Sequence, residues 1–349
     1  MGAAPVKEIF TSKGRFFIRP YQPGDEGAIL ASWARAFGKE MPLEEWRWKY
    51  PANPYGFRCL LCLAEDGTVV VHYAAQVVHI AFEGGFIRGL HLTDSFSHPS
   101  YRWALGGKHG LFVRTGWLFL NTYLEEVPLP SSEKLLVPEP PAQFHYGFPG
   151  KRHFRLGLKL LAYRKHNPGV LYGQKAEGPL FRRKLSFLKC GVEEVSRFNR
   201  WEQLNHLFFK TLKHRPFCVV RDALYLRWRF SRPGHKYLIF YAKNFLGKKI
   251  KAWIILSLND KARLLDFWAE EEPPLVYLLE EVAWSLKRPL EVWLSGNHPL
   301  KGAFLRAGFS WAPEPLGIIP NTRCDFAGGT PPPETADRFF FTMADADLF

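Results

Sequence analysis

The sequence predicts an α/β (α+β) protein assembled from two copies of one mixed-sheet unit. Three observations lead there. The chain has 349 residues, enough for two ordinary domains. Its composition, 47% hydrophobic and 23% charged, is that of a globular protein. One order of elements (hairpin, third strand, helix, strand, short helix) can be read twice along it.

In the first copy, residues 16–19 form a short strand pattern that Pro20, Pro23 and Gly24 break. Asp25 and Glu26 open a helix whose Ile29, Trp33 and Phe37 share one face. Residues 58–64 and 68–80 are apolar, β-branched runs around Glu65-Asp66-Gly67, which predicts a hairpin. Residues 86–96 give a third strand after the turn at Gly84-Gly85, and residues 111–123 read as a helix buried on nearly every side. Residues 127–141 hold five prolines and predict a loop, followed by a strand at 144–148 and a helical turn at 151–157.

The second copy repeats the order with strands at 237–243, 250–258 and 263–268, a helix at 275–286, a strand at 290–294 and a helix at 300–307. The expected domains are therefore residues 1–163 and 186–349, joined by a basic connector over 164–185. Phe339-Phe-Phe-Thr342 is expected to return a strand to one domain's core.

The formal net charge of +14 is unevenly spread. Residues 1–150 carry 14 basic and 14 acidic side chains, residues 151–250 carry 24 and 5, and residues 251–349 carry 9 and 14. A chain-wide nucleic-acid coat is excluded, whereas a local basic surface on the middle stretch is not. With no run of about 18 apolar residues, no membrane insertion is expected. Five cysteines are few and odd in number, which fits a reducing compartment and a cytoplasmic location.

The chemistry-bearing stretch is Asp94-Ser-Phe96-Ser-His98-Pro99-Ser-Tyr101-Arg102, then Gly106-Gly107-Lys108-His109-Gly110-Leu111. A strand ends, a loop gathers glycines and basic residues, and an apolar helix begins. Backbone N–H groups of such a loop, with the positive end of the helix dipole, suit a pyrophosphate. Arg102 and His109 stand where a Walker A loop needs Gly and Ser or Thr, and the glycine spacing is not G-x-G-x-x-G.

This stretch resembles motif A of the GNAT acyltransferase superfamily. The segment Ile18-Arg-Pro-Tyr-Gln-Pro-Gly-Asp25 looks like that superfamily's first strand and helix start. Phe148-Pro149 with Leu156-Gly157-Leu158, and Leu305-Arg-Ala-Gly308-Phe309 in the second copy, are similar to its later elements. The resemblance implies two tandem GNAT-like domains and acetyl-CoA or another acyl-CoA as co-substrate. It implies that Phe96, His98, Arg102, Gly106, Gly107, Lys108, His109, Gly110 and Leu111 hold that co-substrate. The loop is longer than the usual Arg-x-x-Gly-x-Gly, because Trp103-Ala-Leu105 and Gly106 intervene. In the second copy Glu270-Glu271-Glu272-Pro273-Pro274 stands at the loop position; carboxylates repel phosphate and prolines lack donors, so that copy is expected to be degenerate.

Acyl transfer to an amine needs a proton acceptor for the amine and a proton for the thiolate. Asp94 is a candidate base, its alternative role being to tie down the strand. Four residues before Gly157, where many relatives have an acidic tyrosine, stands His153; the second copy has Phe304 at that offset. Histidines 72, 79, 91 and 98 lack metal-site spacing, so no metal is expected, and Cys59 and Cys62 read as packing residues. Trp46, Trp48 and Tyr50 are read as core packing or the lining of an acceptor pocket.

The leading expectation is an acyl-CoA-dependent N-acyltransferase acting on a small-molecule or peptide amine, with an anionic acceptor suggested by the basic stretch. An aminoacyl-tRNA-dependent transferase of the tandem-domain type and a non-catalytic binding protein are the alternatives.

Overall fold

The computed structural model describes residues 6–12, 14–105, 109–176, 187–247, 249–259, 261–326, 329 and 331–348. Its internal contacts divide the chain into two compact units. Unit 1 comprises Met1–His79, Ile87–Lys165 and Pro320–Ala336; unit 2 comprises Ile80–Phe86, His166–Ile319 and Asp337–Phe349.

Unit 1 is built on strands β1 (Lys7–Thr11), β2 (Gly14–Pro20), β3 (Phe57–Ala64), β4 (Val69–Phe82), β5 (Gly85–Ser97) and β6 (Phe144–Gly147), side by side in that order. The strand Asn321–Cys324 closes the row against β6. The centre is fixed by composition: β3 and β4 are apolar almost throughout, as a strand covered on both faces must be. The predicted hairpin forms because Gly67 can take φ +84° and the Asp66 carboxylate accepts the Thr68 N–H at 2.9 Å.

Helices α1 (Glu26–Phe37), α2 (Leu43–Lys49), α3 (Leu111–Tyr123) and α4 (Lys151–Leu160) complete the unit. The start of α1 is pinned by a two-pronged bond from Arg19 to Asp25, at 2.7 and 2.8 Å, which holds the Asp25 carboxyl below its usual range. In α3, eleven of thirteen residues are buried, all but Arg114 and Asn121, matching its largely apolar sequence.

Strands β5 and β6 run parallel, pairing Gly89 with Phe144 through Leu92 with Gly147. There the ladder ends, although β5 continues to Ser97.

Unit 2 repeats the plan. Its sheet contains β7 (Val170–Lys175), β8 (Leu188–Glu194), β10 (Tyr237–Asn244), β11 (Ile250–Ser257), β12 (Ala262–Ala269), β13 (Leu290–Ser295) and β14 (Ser310–Ala312), in the order β14-β7-β13-β12-β11-β10-β8. Helices α5 (Trp201–Lys210), α6 (Ala223–Arg229), α7 (Glu272–Leu286) and α8 (Lys301–Arg306) accompany it. The short β9 (Cys218–Val219) pairs with Ile80–Ala81 within the same unit. Strands β12 and β13 are parallel from Ala262–Leu290 to Leu264–Val292, and again the ladder stops before either strand does. Core residues Ile254, Leu264, Leu278, Val282 and Phe304 fill the space between this sheet and α7.

The expected boundaries need correction. The 164–185 stretch is not a connector where it is described: β7 lies inside the second sheet, antiparallel to both β13 and β14. Its Tyr172 and Gly173 are buried despite the basic residues around them, and residues 177–186 lie outside the described residues. Nor are the units contiguous, since residues 80–86 belong to unit 2 and residues 320–336 to unit 1.

Candidate active site

Past its last pair with β6, strand β5 is bent. Asp94 has a φ of +49°, a left-handed conformation that a side chain other than glycine rarely adopts. The bend is held on three sides. Asp94 Oδ2 is 2.7 Å from Lys49 Nζ and accepts the Tyr50 hydroxyl at 2.8 Å, while its carbonyl accepts the His72 Nδ1–H at 2.8 Å. Burial depresses the His72 pKa, so the ring is a neutral donor. Beyond the bend, His98 N–H bonds Val70 O at 2.8 Å. The free edge of β5 after Leu92 therefore faces away from β4 with backbone groups left unpaired by β6.

Beside this edge lies a cavity of about 590 Å³. Its wall is formed by Ser95, Phe96 and Ser97 of β5, Phe37 at the end of α1, Arg102, and the first turns of α3 and α4. Both helices begin on glycine, Gly110 and Gly150, with no acidic residue in the first turn and no side-chain cap. Their uncapped N–H groups and dipoles favour an anion, and the exposed Lys151 and Arg152 add formal charge.

His153 sits on the first turn of α4 and lines the cavity. Its Nε2 is 3.3 Å from the Tyr163 hydroxyl, which is 3.1 Å from the Tyr73 hydroxyl. Burial lowers the His153 pKa to about 4 and raises that of Tyr163 to about 12, so both groups are neutral at pH 7. Gly157 makes this arrangement possible, because a Cβ there would overlap the Tyr163 ring. Leu161 N–H and Tyr163 N–H both bond Gly157 O, at 2.8 and 3.2 Å, folding the chain back under α4.

The cavity thus brings together Phe96, Arg102 and His153 among the predicted residues. Asp94, His98, His109, Gly110 and Leu111 do not line it. The Asp94 carboxylate is engaged by Lys49 and Tyr50, His98 accepts the Ser100 N–H on Nδ1, and Leu111 is buried in the core. Gly110 caps α3 with its backbone, and His109 is exposed. Gly106, Gly107 and Lys108 lie outside the described residues. Cys59 and Cys62 are buried packing residues, and burial raises both thiol pKa values. Trp46 and Tyr50 belong to the aromatic core with Tyr21 and Phe57. No cluster of three or more metal-ligating side chains occurs among the described residues.

Sequence reasoning missed Lys49, Tyr73 and Tyr163. One signal was available for the first: Arg47-Trp48-Lys49-Tyr50 recurs as Arg227-Trp228-Arg229-Phe230 in the second copy.

Two mixed sheets in one chain, each with a parallel pair of strands that parts, are matched by solved structures. A tandem GNAT protein from the clavulanic acid biosynthesis pathway aligns with a TM-score of 0.52 over 90% of this chain and 99% of its own, at 11% identity. The fold is that of tandem GNAT proteins. A GCN5-related N-acetyltransferase from Anabaena variabilis gives a TM-score of 0.60 at 11% identity, covering 89% of this chain and 73% of that one. A conserved protein of unknown function from Enterococcus faecalis gives 0.61 at 12% identity, covering 88% and 72%. At such identities the likeness establishes the GNAT fold and not the substrate. No family model and no curated protein matches the sequence. No helix among the described residues is long and apolar enough to cross a membrane.

Proposed function

We propose that unit 1 is an acyl-CoA-dependent N-acyltransferase that transfers an acyl group, with acetyl as the first candidate, to a primary amine of a small molecule or peptide. The observation that carries this reading is the end of β5 that runs on past β6, beside a cavity framed by two uncapped helix N-termini. The open strand edge offers amide groups to a pantetheine arm, and the helix starts with Arg102, Lys151 and Arg152 suit its phosphates. The residues present therefore fit the coenzyme.

In the transfer, the amine nitrogen bonds to the acyl carbon, the carbon–sulfur bond breaks, and one proton must move from nitrogen to sulfur. His153 is assigned as the carrier of that proton. Neutral at rest, it accepts the amine proton, and the low pKa set by its burial makes the imidazolium a ready donor to the leaving thiolate. Tyr163 orients the ring through Nε2. Asp94 is assigned to fixing the bend of β5 through Lys49 and Tyr50, so that backbone amides beyond it face the thioester oxygen. The acceptor enters from the basic side of the cavity, which favours an anionic one, and the location is the cytoplasm, where acyl-CoA is made and used.

The test is calorimetric titration with acetyl-CoA followed by thiol release with an amine panel. Binding of one acetyl-CoA per chain and amine-dependent thiol release are expected; absence of acyl-CoA binding would refute the reading. His153→Ala should bind acetyl-CoA as the parent does while losing about a hundredfold in kcat.

A further inference from the structure

Unit 2 has a cavity of its own, of about 340 Å³, at the end of β12. Residues just after α5 (Thr211, His214, Arg215), the end of β12 (Trp268, Ala269, Glu270) and the turn before α8 (Asn297, Pro299, Leu300) frame it. These are the counterparts of the elements that frame the cleft of unit 1. Part of the space is taken by Phe340 of the C-terminal segment. We propose that this remnant is a second ligand site, specific for a small aromatic carboxylate.

The walls call for a flat apolar body. Phe217, Trp268 and Phe340 are 2, 4 and 6% exposed, and the last two rings lie nearly parallel, 19° apart. Within this wall two polar atoms have no hydrogen-bond partner among the described residues: the Trp268 indole Nε1 and the Asn297 carbonyl Oδ1. A buried donor or acceptor left unmet is costly, so a ring substituent able to meet either one is favoured there.

The mouth calls for an anion. Arg338 donates to Glu83 at 2.5 Å and Arg215 approaches the same carboxylate at 3.7 Å, two guanidinium groups sharing one acid. Lys210 and Lys213 share Glu270 in the same manner, at 2.6 and 3.4 Å. Four cations face two carboxylates. Arg215 lines the cavity with its side chain 70% exposed, at the rim. A planar guanidinium fork takes a monoanionic carboxylate in two bonds, while a phosphate dianion, with twice the charge, would be repelled more strongly by Glu83 and Glu270. The volume admits one or two rings and is too small for coenzyme A, against which the carboxylates at the start of α7 also act.

This inference does not rest on acyl transfer in unit 1. Its test is titration of the full chain with 4-hydroxyphenylacetate, its neutral amide and inorganic phosphate, read by calorimetry and tryptophan fluorescence. Saturable binding of one acid per chain is expected at about 1 mM or tighter, with the amide at least tenfold weaker. Saturating coenzyme A should leave that binding unchanged, and Trp268→Phe should remove the fluorescence response. Arg338→Ala and Arg215→Ala change exposed side chains and should each weaken binding about tenfold while leaving the melting temperature in place. Equal binding of acid and amide, tighter binding of phosphate, displacement by coenzyme A, indifference to both arginine variants, or no binding would each overturn the proposal.

Discussion

The two clefts of this chain start from the same construction and end in opposite states. In unit 1 the parallel ladder stops at Leu92, and the gap beyond it stays open as a basic cavity. In unit 2 it stops at Leu264, and the chain's own residues enter the gap. Ser295 N–H bonds Phe341 O at 3.0 Å, Phe341 N–H bonds Ser295 Oγ at 3.3 Å, and Leu294 bridges Thr342. Two residues past the last pair each strand carries an aspartate, Asp94 in one and Asp266 in the other. Asp94 meets Lys49; Asp266 meets Arg221 and Thr342, with Asp345 on the same guanidinium. Arg229, the counterpart of Lys49 in the repeated motif, bonds the carbonyls of Ala344 and Ala346. The difference teaches that parting of two parallel strands creates only a vacancy. What fills it, a ligand or the chain itself, is decided by residues elsewhere in the sequence.

The comparison can be broken most severely at Arg221, which is fully buried. Arg221→Met leaves Asp266 and Asp345 without their cation and should cost about 3–5 kcal/mol by urea denaturation, more than the matched Lys49→Met, where Tyr50 still serves Asp94. Phe341→Ala, emptying the filled cleft of a buried ring, should cost about 3–5 kcal/mol as well, without altering acetyl-CoA binding. Loss of that binding would show that the open cleft depends on the filled one. A smaller effect belongs to the open cleft: Arg152→Glu should weaken acetyl-CoA about tenfold, and the loss should shrink as salt is raised.

The smallest effect is a pH dependence. His153 and His145 are driven by burial to about 4 and about 3, below the ordinary 6.5. The unfolded chain then binds protons more readily than the folded one. Their contribution to stability is complete above pH 6.5 and is lost as the pH falls through 4 towards 3. His153→Phe should flatten part of that acid limb in melting experiments. The pH dependence of kcat should follow ionisation of the acceptor amine, since His153 stays neutral from pH 6 to 9.

Much of the architecture was legible because patterning and turn chemistry were consistent. The hairpin at Asp66-Gly67, the largely apolar α3 and five of the six second-copy elements fall within a residue or two of their predicted bounds, with α7 starting three residues early. The helix α2 was not read, since seven residues carrying Glu44, Glu45, Arg47 and Lys49 show too little apolar periodicity. Strand β7 looked like a connector because its place between β13 and β14 is set by partners more than a hundred residues away. His153 and Arg102, singled out through the resemblance to GNAT motifs, line the cavity. For Asp94 both a base and a strand tie were legible, but not its partners Lys49 and Tyr50, because a carboxylate's partner is a property of tertiary structure. Nor did the +19 excess of the middle stretch belong wholly to the surface: Arg221 and Arg229 lie inside unit 2.

The discontinuity of the units bears on how the molecule comes into being. Unit 1 needs the strand Asn321–Cys324 against β6, and unit 2 needs Phe341 and Asp345 in its cleft. A nascent chain emerging from the ribosome at residue 300 would expose an unpaired edge in the first sheet and an unfilled slot in the second. Neither unit could close before residues 321–345 had been made, so the two should acquire protease resistance together, once that segment has emerged.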